Sequence, residues 1–335
     1  MGSISSMVSP PLPRIGALGV GWIGRHRLAG LLDDGAARLV AVADPDADAA
    51  RDAAALGGAE VVDGLDALLA HGLDGLLIAT PSALHAEQAR AALDRGVAVF
   101  CQKPLARTAA EARAVVDAAR SADRLLGVDF SYRHIAGVAQ MRALVEAGAL
   151  GRVFAVELVF HNAYGPDKPW FRDPARSGGG CLIDLGVHLV DLALWMLPGA
   201  RVVEVAGQCF AGGITATPDR CEDYAAATLR LADGAVVRLV TSWNLHAGQD
   251  AVIEAAFRGT AGAVTLHNVG GSFYDFRAEH HTGTRRRVIA EPPDEWGARA
   301  AVAWARRLRR DRRFDPAVEQ AVAVAEVIDR AYGRA

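Results

Sequence analysis

Gly19-Val20-Gly21-Trp22-Ile23-Gly24 follows the apolar run Ile15–Val20 directly and opens a helical pattern. This is G-x-G-x-x-G in the context that gives the spacing meaning, a strand turning tightly into a helix. The first glycine makes the turn and the second lets a pyrophosphate approach the backbone. The third lets helix and strand pack closely, with the helix N-terminus facing phosphate. A second apolar run, Arg38–Ala43, is followed by Asp44. An acid about 20 residues past the last glycine grips the hydroxyls of an adenosine ribose. Gly19, Gly21, Trp22, Ile23, Gly24 and Asp44 are therefore expected to bind a dinucleotide. A carboxylate at Asp44 repels a 2′-phosphate, and the nearest arginine after it is Arg51. NAD is expected rather than NADP.

Further buried-looking runs continue the pattern: Gly75–Ala79, Val97–Cys101 and Leu125–Phe130. Ala-rich amphipathic stretches, Ser82–Arg95 and Thr108–Ser121, lie between them. Buried strands alternating with helices predict a doubly wound parallel sheet, an α/β Rossmann domain over residues 14–133. Residues 1–13, rich in Ser and Pro, read as a flexible lead-in. After Gly151 the character changes. Val153–His161, Val202–Phe210, Asp223–Leu231, Ala235–Trp243, Ala251–Arg258 and Ala263–Leu266 are strand-like, with turn dipeptides such as Asp233-Gly234 between some of them. They predict a large, mostly antiparallel open sheet. Asp294–Arg310 and Pro316–Ala331 return to helical periodicity. Residues 134–335 thus read as an α+β domain whose C-terminal helices return to the core.

Composition narrows the function. A formal net charge of −3 over 335 residues gives no reason to expect nucleic acid or an anionic membrane. The arginines of Arg306–Arg313 close a helix and read as a solvated face or subunit contact. Arg285–Arg287 reads as the edge strand of a hairpin. Cys101, Cys181, Cys209 and Cys221 are far apart, which suggests no zinc site or disulfide framework and fits a reducing cytoplasm. The pair His280-His281 has no further ligands in sequence, so no metal is expected. No uninterrupted apolar run has the length of a membrane span.

Ser177-Gly178-Gly179-Gly180-Cys181 opens onto Leu182–Leu197, an apolar run carrying Asp184, His188 and Asp191. On an α-helix these fall at i, i+4 and i+7 and share one face. A polar group buried without a partner costs about 2–7 kcal/mol, and a charge more. Such a stripe marks chemistry. His188 titrates near neutrality and is the expected base for a hydroxyl proton. Asp184 is expected to hold His188 or bind a neighbouring hydroxyl, and Asp191 to satisfy an arginine or the backbone. The three glycines are expected to admit backbone and ligand. Cys101-Gln102-Lys103-Pro104 ends a strand at the ligand edge of the parallel sheet, where Lys103 can polarise a substrate oxygen. Ala79–His85 ends another, so Thr80, Pro81 and His85 are expected to line the cofactor; the plainer reading of the same loop is a proline turn with Ser82 as helix cap.

Taken together, Gly19–Gly24, Ala79–His85, Gln102-Lys103-Pro104, Ser131-Tyr132-Arg133 and Gly178–His188 resemble the glucose–fructose oxidoreductase / inositol dehydrogenase (Gfo/Idh/MocA) family. The resemblance implies a Rossmann domain joined to an open-sheet domain, NAD as cofactor, and a homo-dimer or homo-tetramer formed through the C-terminal sheet. It also implies Lys103, Asp184 and His188 as the catalytic group. Gln102 departs from the family's glutamate before lysine, and is expected either to leave Lys103 less strongly held as a cation or to contact the nicotinamide or the substrate. Arg133, His161, Asn162, Tyr164 and Trp170 are expected beside Lys103, Asp184 and His188 on the substrate side. An indole face suits a sugar or cyclitol ring. The expected activity is NAD-dependent oxidation of a secondary hydroxyl of a polyhydroxylated metabolite. The Ala-, Arg- and Gly-rich composition of a GC-rich genome extends this to amino sugars and aminoglycoside biosynthesis. A redox-neutral epimerase or eliminating enzyme that retains its NAD is the alternative, and a non-catalytic NAD-sensing regulator a more remote one.

Overall fold

The protein, seen in a computed structural model that describes residues 10–334, builds two sheets. The first has strands β1 (Arg14–Leu18), β2 (Arg38–Ala43), β3 (Glu60–Val61), β4 (Gly75–Ile78), β5 (Ala98–Cys101) and β6 (Leu126–Val128). Their order is β3-β2-β1-β4-β5-β6 and every pairing is parallel. The chain runs outward from β1 to β3, then crosses back to β4. The crevice beyond the carboxyl ends of β1 and β4 is thus a topological switch point, where open α/β sheets bind ligands. Both faces of the sheet are covered. Ile15, Ala17, Leu77 and Phe100 pack under Leu28, Leu31 and Trp304 on one side, and Leu18, Leu76, Ile78 and Val99 under Leu68, Ala89, Leu93 and Val115 on the other.

The second sheet has nine strands: β7 (Val153–Asn162), β8 (Val202–Ala211), β9 (Ile214–Thr215), β10 (Tyr224–Leu231), β11 (Val236–Ser242), β12 (Ala251–Gly259), β13 (Ala263–Asn268), β14 (Phe276–Thr282) and β15 (Arg285–Ala290). They are ordered β15-β14-β13-β12-β7-β11-β10-β8-β9, antiparallel except for β7 and β11. Leu158, Phe160, Leu239 and Ile253 point to the inner face, which buries the helix Val187–Met196. The segment Pro174–Met196 has the length and composition to cross a bilayer. Of its apolar window 89% is buried inside the protein, so it is a core element.

Some sequence expectations shift. The helix expected from Asp294 begins at Arg299, because Asp294 is used to accept the Ala136 N–H at 2.7 Å. Residues 10–13 are anchored: the Pro10 carbonyl accepts from Arg309 and the Pro13 carbonyl from Arg38 N–H. The rest of the expected lead-in lies outside the described residues. The basic run is tied down by carboxylates, Arg306 to Asp34 at 2.6 Å and Arg312 to Asp74 at 2.8 Å.

The helix Arg299–Arg310 thus belongs to the first sheet although it comes from the far end of the chain. Trp304 lies 5.6 Å from the Phe100 ring, and its indole fills the space that Gly75 and Gly127 leave open. Trp304→Ala is expected to cost about 3–5 kcal/mol of unfolding free energy. Urea denaturation checks this; a loss under about 1 kcal/mol would mean that the C-terminal helix does not stabilise the first sheet.

Candidate active site

The glycine loop has the geometry that a diphosphate needs. Gly19 takes φ +79°. A Cβ on Gly24 would sit 2.3 Å from the Gly19 carbonyl oxygen, whereas one on Gly21 would meet nothing within 4 Å. Gly24 therefore packs helix on strand, and Gly21 leaves the approach open. The helix Trp22–Asp33 starts at Gly21 with no side-chain cap. Its first-turn N–H groups are left for an anion. Asp44 sits past β2 and ties the loop down, accepting Val20 N–H at 2.7 Å and Asp46 N–H at 2.9 Å. These residues fit a dinucleotide.

Beside this loop lies a cavity of about 440 Å³ between the two sheets. Trp22, Ile23, Thr80, Pro81, Gln102 and Lys103 face it from the first domain; Trp170, Asp184, His188, Tyr274 and Trp296 face it from the second. Lys103 crosses the divide. Its ammonium donates to Asp184 Oδ1 at 2.7 Å and to the Asp184 carbonyl at 2.8 Å. The pair is mostly shielded, with side chains 18% and 15% exposed. Asp184 Oδ2 accepts from the indole N–H of Trp243 at 3.2 Å. An ammonium has three donors, so one remains for a ligand oxygen.

Asp184 does not hold His188, contrary to one expected role. The reason is local. Leu182–Gly186 is a π-helical turn, and the α-helix begins only at Val187. The wider turn rotates Asp184 away from the i, i+4 alignment, a device found often at functional sites. The stripe therefore serves three separate partners. Asp184 meets Lys103. His188, 7% exposed, faces the cavity with its ring 4.8 Å from that of Tyr132. Asp191 pairs with Arg133 at 2.8 Å and with Gln320 at 3.0 Å. Burial, then the charges of Lys103 and Arg27, push the His188 pKa well below its ordinary 6.5. The imidazole is therefore neutral at neutral pH. Its Nδ1 is sealed without a partner among the described residues, which leaves Nε2 for the cavity.

Several expected contacts are placed elsewhere. Arg133 is spent on Asp191, away from the cavity. His161 points to the outer face of the second sheet, bonded to Ser242 at 2.8 Å, because strand alternation sends Phe160 inward instead. Asn162 does not line the cavity, and its Oδ1 is buried without a partner among the described residues. Tyr164 is half exposed and rests on Phe273. Trp170 does face the cavity, stacked on Phe171 at 3.8 Å. His85 offers no free nitrogen. Its ring lies 2.7 Å from the carbonyls of both Thr80 and Pro104, bracing the two loops. Thr80 gives its hydroxyl to Gln88, and the helix that follows starts after Pro81 with no side-chain cap, so Ser82 is its first residue rather than its cap.

The triple glycine makes room for packed protein, although Gly179 also borders the cavity. A Cβ on Gly180 would lie 1.9 Å from the Glu222 carbonyl oxygen, and one on Gly179 2.2 Å from the Tyr332 hydroxyl. Glu222 accepts Gly180 N–H at 2.9 Å, Leu182 N–H at 2.8 Å and the Tyr332 hydroxyl at 2.8 Å. A buried carboxylate thus anchors the start of the segment that carries Asp184 and His188, where it also meets the positive end of the helix. Sequence reading missed Glu222, Tyr332, Arg27 and Asp129. Asp129 had a signal: it is the one charged residue in the run Leu125–Phe130. Among the described residues no cluster of three His, Cys, Asp or Glu is placed to hold a metal.

Glu222→Gln replaces one acceptor oxygen by a donor that faces backbone N–H. A buried unsatisfied group costs about 1–3 kcal/mol. The melting temperature is expected to fall and kcat with it, while Tyr332→Phe has a smaller effect. Unchanged stability in Glu222→Gln would remove the anchor role.

Comparisons with known proteins agree with this geometry. Residues 13–130 match the oxidoreductase family with an NAD-binding Rossmann fold, and residues 138–265 match the GFO/IDH/MocA C-terminal domain. D-glucoside 3-dehydrogenase of Escherichia coli (strain K12) is 29% identical over 279 residues, covering 78% of this chain and 79% of that protein. Inositol 2-dehydrogenase 4 of Saccharopolyspora erythraea is 30% identical over 256 residues, covering 73% and 71%. The crystal structure of GenD2 from gentamicin A biosynthesis in complex with NAD superposes with a TM-score of 0.80. It is 28% identical, with 100% of this chain and 96% of that chain covered.

Proposed function

The chain belongs to the GFO/IDH/MocA oxidoreductase family, and from that premise we propose that it oxidises a secondary hydroxyl of a sugar, cyclitol or amino-sugar metabolite to a ketone. The observation that carries the reading is the convergence of Lys103 and His188 on one aromatic-walled cavity beside the glycine loop. When bound, NAD supplies the hydride acceptor. Gly19, Gly21, Trp22, Ile23 and Gly24 hold its diphosphate, Asp44 its ribose, and the Thr80, Pro81 and Gln102 edge its nicotinamide half. His188, neutral because it is buried beside two cations, takes the hydroxyl proton on Nε2. Lys103 gives its third N–H to the same oxygen and stabilises the negative charge that develops there. Asp184 positions that ammonium. Trp170 offers a ring face to the polyol, and Trp296 and Tyr274 complete the wall. The likeness to GenD2 along the whole chain supports an amino-sugar substrate and a place in aminoglycoside biosynthesis.

The test is a screen of sugars, cyclitols and aminoglycosides with NAD and NADP in parallel, following NADH absorbance. Turnover of one class with NAD is expected, abolished by His188→Asn with NADH binding kept. The log of kcat/KM should fall with decreasing pH only below 6.5, since protonation of His188 removes the base. Near-normal turnover in His188→Asn would overturn the base assignment, and a preference for NADP the role of Asp44. Tightly held NAD with no class releasing NADH would favour the redox-neutral alternative.

We also propose a homo-dimer or homo-tetramer through the outer face of the nine-stranded sheet. There Val159 and Val240 are paired across β7 and β11, and Val252 of β12 lies diagonally beside them, opposite His161. Val240→Glu should lower the mass measured by light scattering. A wild-type monomer would end this proposal.

A further inference from the structure

Gln102 sits on a buried charge pair that the reaction proposed above does not use. Asp129 is 1% exposed and Arg27, from the helix Trp22–Asp33, 5%. Arg27 Nε donates to Asp129 Oδ2 at 2.6 Å. The side-chain amide of Gln102 donates to the same oxygen. The backbone holds both acceptor and donor in place: Asp129 N–H bonds the Cys101 carbonyl at 2.9 Å, and Gln102 N–H the Ile78 carbonyl at 2.8 Å. On the other side, Arg27 Nη1 donates to His26 Nδ1 at 3.0 Å, and the His26 ring stacks on Trp22 of the glycine loop, 5.7 Å between centroids.

A carboxylate paired with a guanidinium only accepts hydrogen bonds, so the amide of Gln102 must turn its NH2 to Asp129. The amide cannot flip without placing its oxygen against that carboxylate. The Gln102 carbonyl oxygen is thereby directed away from Asp129, and Gln102 lines the cavity. Among the described residues nothing donates to it. We propose that the Arg27–Asp129 pair is a positioning device that turns the Gln102 carbonyl to the cofactor side of the cavity, as an uncharged acceptor for the carboxamide N–H of nicotinamide. Gln102 lies at the carboxyl end of β5, on the cofactor edge of the parallel sheet, whereas His188 and Asp184 come from the opposite wall. The same contact explains why glutamine replaces the family's glutamate. A glutamate would press a second carboxylate onto Asp129, and two carboxylates so close cannot both ionise. Removing Arg27 would leave the Asp129 charge buried with one donor only, since its Oδ1 has no partner among the described residues.

The test is a double-mutant cycle read by fluorescence titration of NADH, with the melting temperature of each variant measured alongside. It needs no alcohol substrate, so it stands apart from the screen above. Gln102→Glu and Asp129→Asn are each expected to weaken NADH binding, the first tenfold or more. In the double variant the new amide at position 129 would donate to the new carboxylate at position 102. It should recover to within threefold of wild type, because an acceptor again faces the cofactor. Gln102→Leu, which removes the oxygen without adding a second carboxylate, should weaken NADH binding severalfold when titrated well below its melting temperature, which falls because Asp129 loses a donor. Two results would overturn the device: independent effects of the two single substitutions, or undiminished NADH affinity in Gln102→Leu.

Discussion

The bond from the Lys103 ammonium to Asp184 joins the two halves of the protein at the cavity itself. Lys103 is placed by the end of β5, and Asp184 by a helical turn buried under the second sheet. Each charge would be costly where it lies without the other. Together they set the distance between the parallel sheet and the helix of His188, and hence the width of the cavity. The indole of Trp243 takes the second Asp184 oxygen, so the carboxylate cannot swing to His188. What the pair leaves open, one ammonium N–H and the Nε2 face of His188, is what alcohol oxidation needs.

The same rule organises the rest of the site. Every buried charge near the cavity is answered by a side chain from a distant element. Asp191 is answered by Arg133, Asp129 by Arg27, and Glu222 by backbone N–H groups and Tyr332. These pairs clamp the loops that carry the functional groups and keep cationic charge next to His188. Burial, helped by that cationic charge, is the reason its imidazole is held neutral. The π-turn at Leu182–Gly186 belongs to this arrangement, because without its extra residue Asp184 would fall in line with His188.

Much of the fold was legible in the chain. Strand-to-helix alternation and the glycine spacing are local patterns, and they translated directly into the parallel sheet and the diphosphate turn. Lys103, Asp184 and His188 were legible because charged residues stand out in apolar runs. Arg133, His161 and Tyr164 were misplaced because a polar residue next to a strand end has two faces to choose from. For His161 the sheet pleat chose the outer one. Asp129 and Glu222 were passed over because their partners lie 27 and 102 residues away for the first and 40 or more for the second.

By itself the sequence determined which segments become buried strands, where a phosphate-binding turn forms, and which side chains are expensive enough to demand a purpose. Periodicity and glycine geometry act within a few residues, so the linear order contains them. Only the tertiary structure decided which purpose each costly side chain serves. Asp184 went to Lys103 and Asp191 to Arg133, Gly179 and Gly180 went to Tyr332 and Glu222, and the amide of Gln102 went to Asp129. Those choices depend on which groups meet once water is excluded. A buried charge takes whichever partner the packing brings within hydrogen-bond reach, and sequence spacing does not specify that partner.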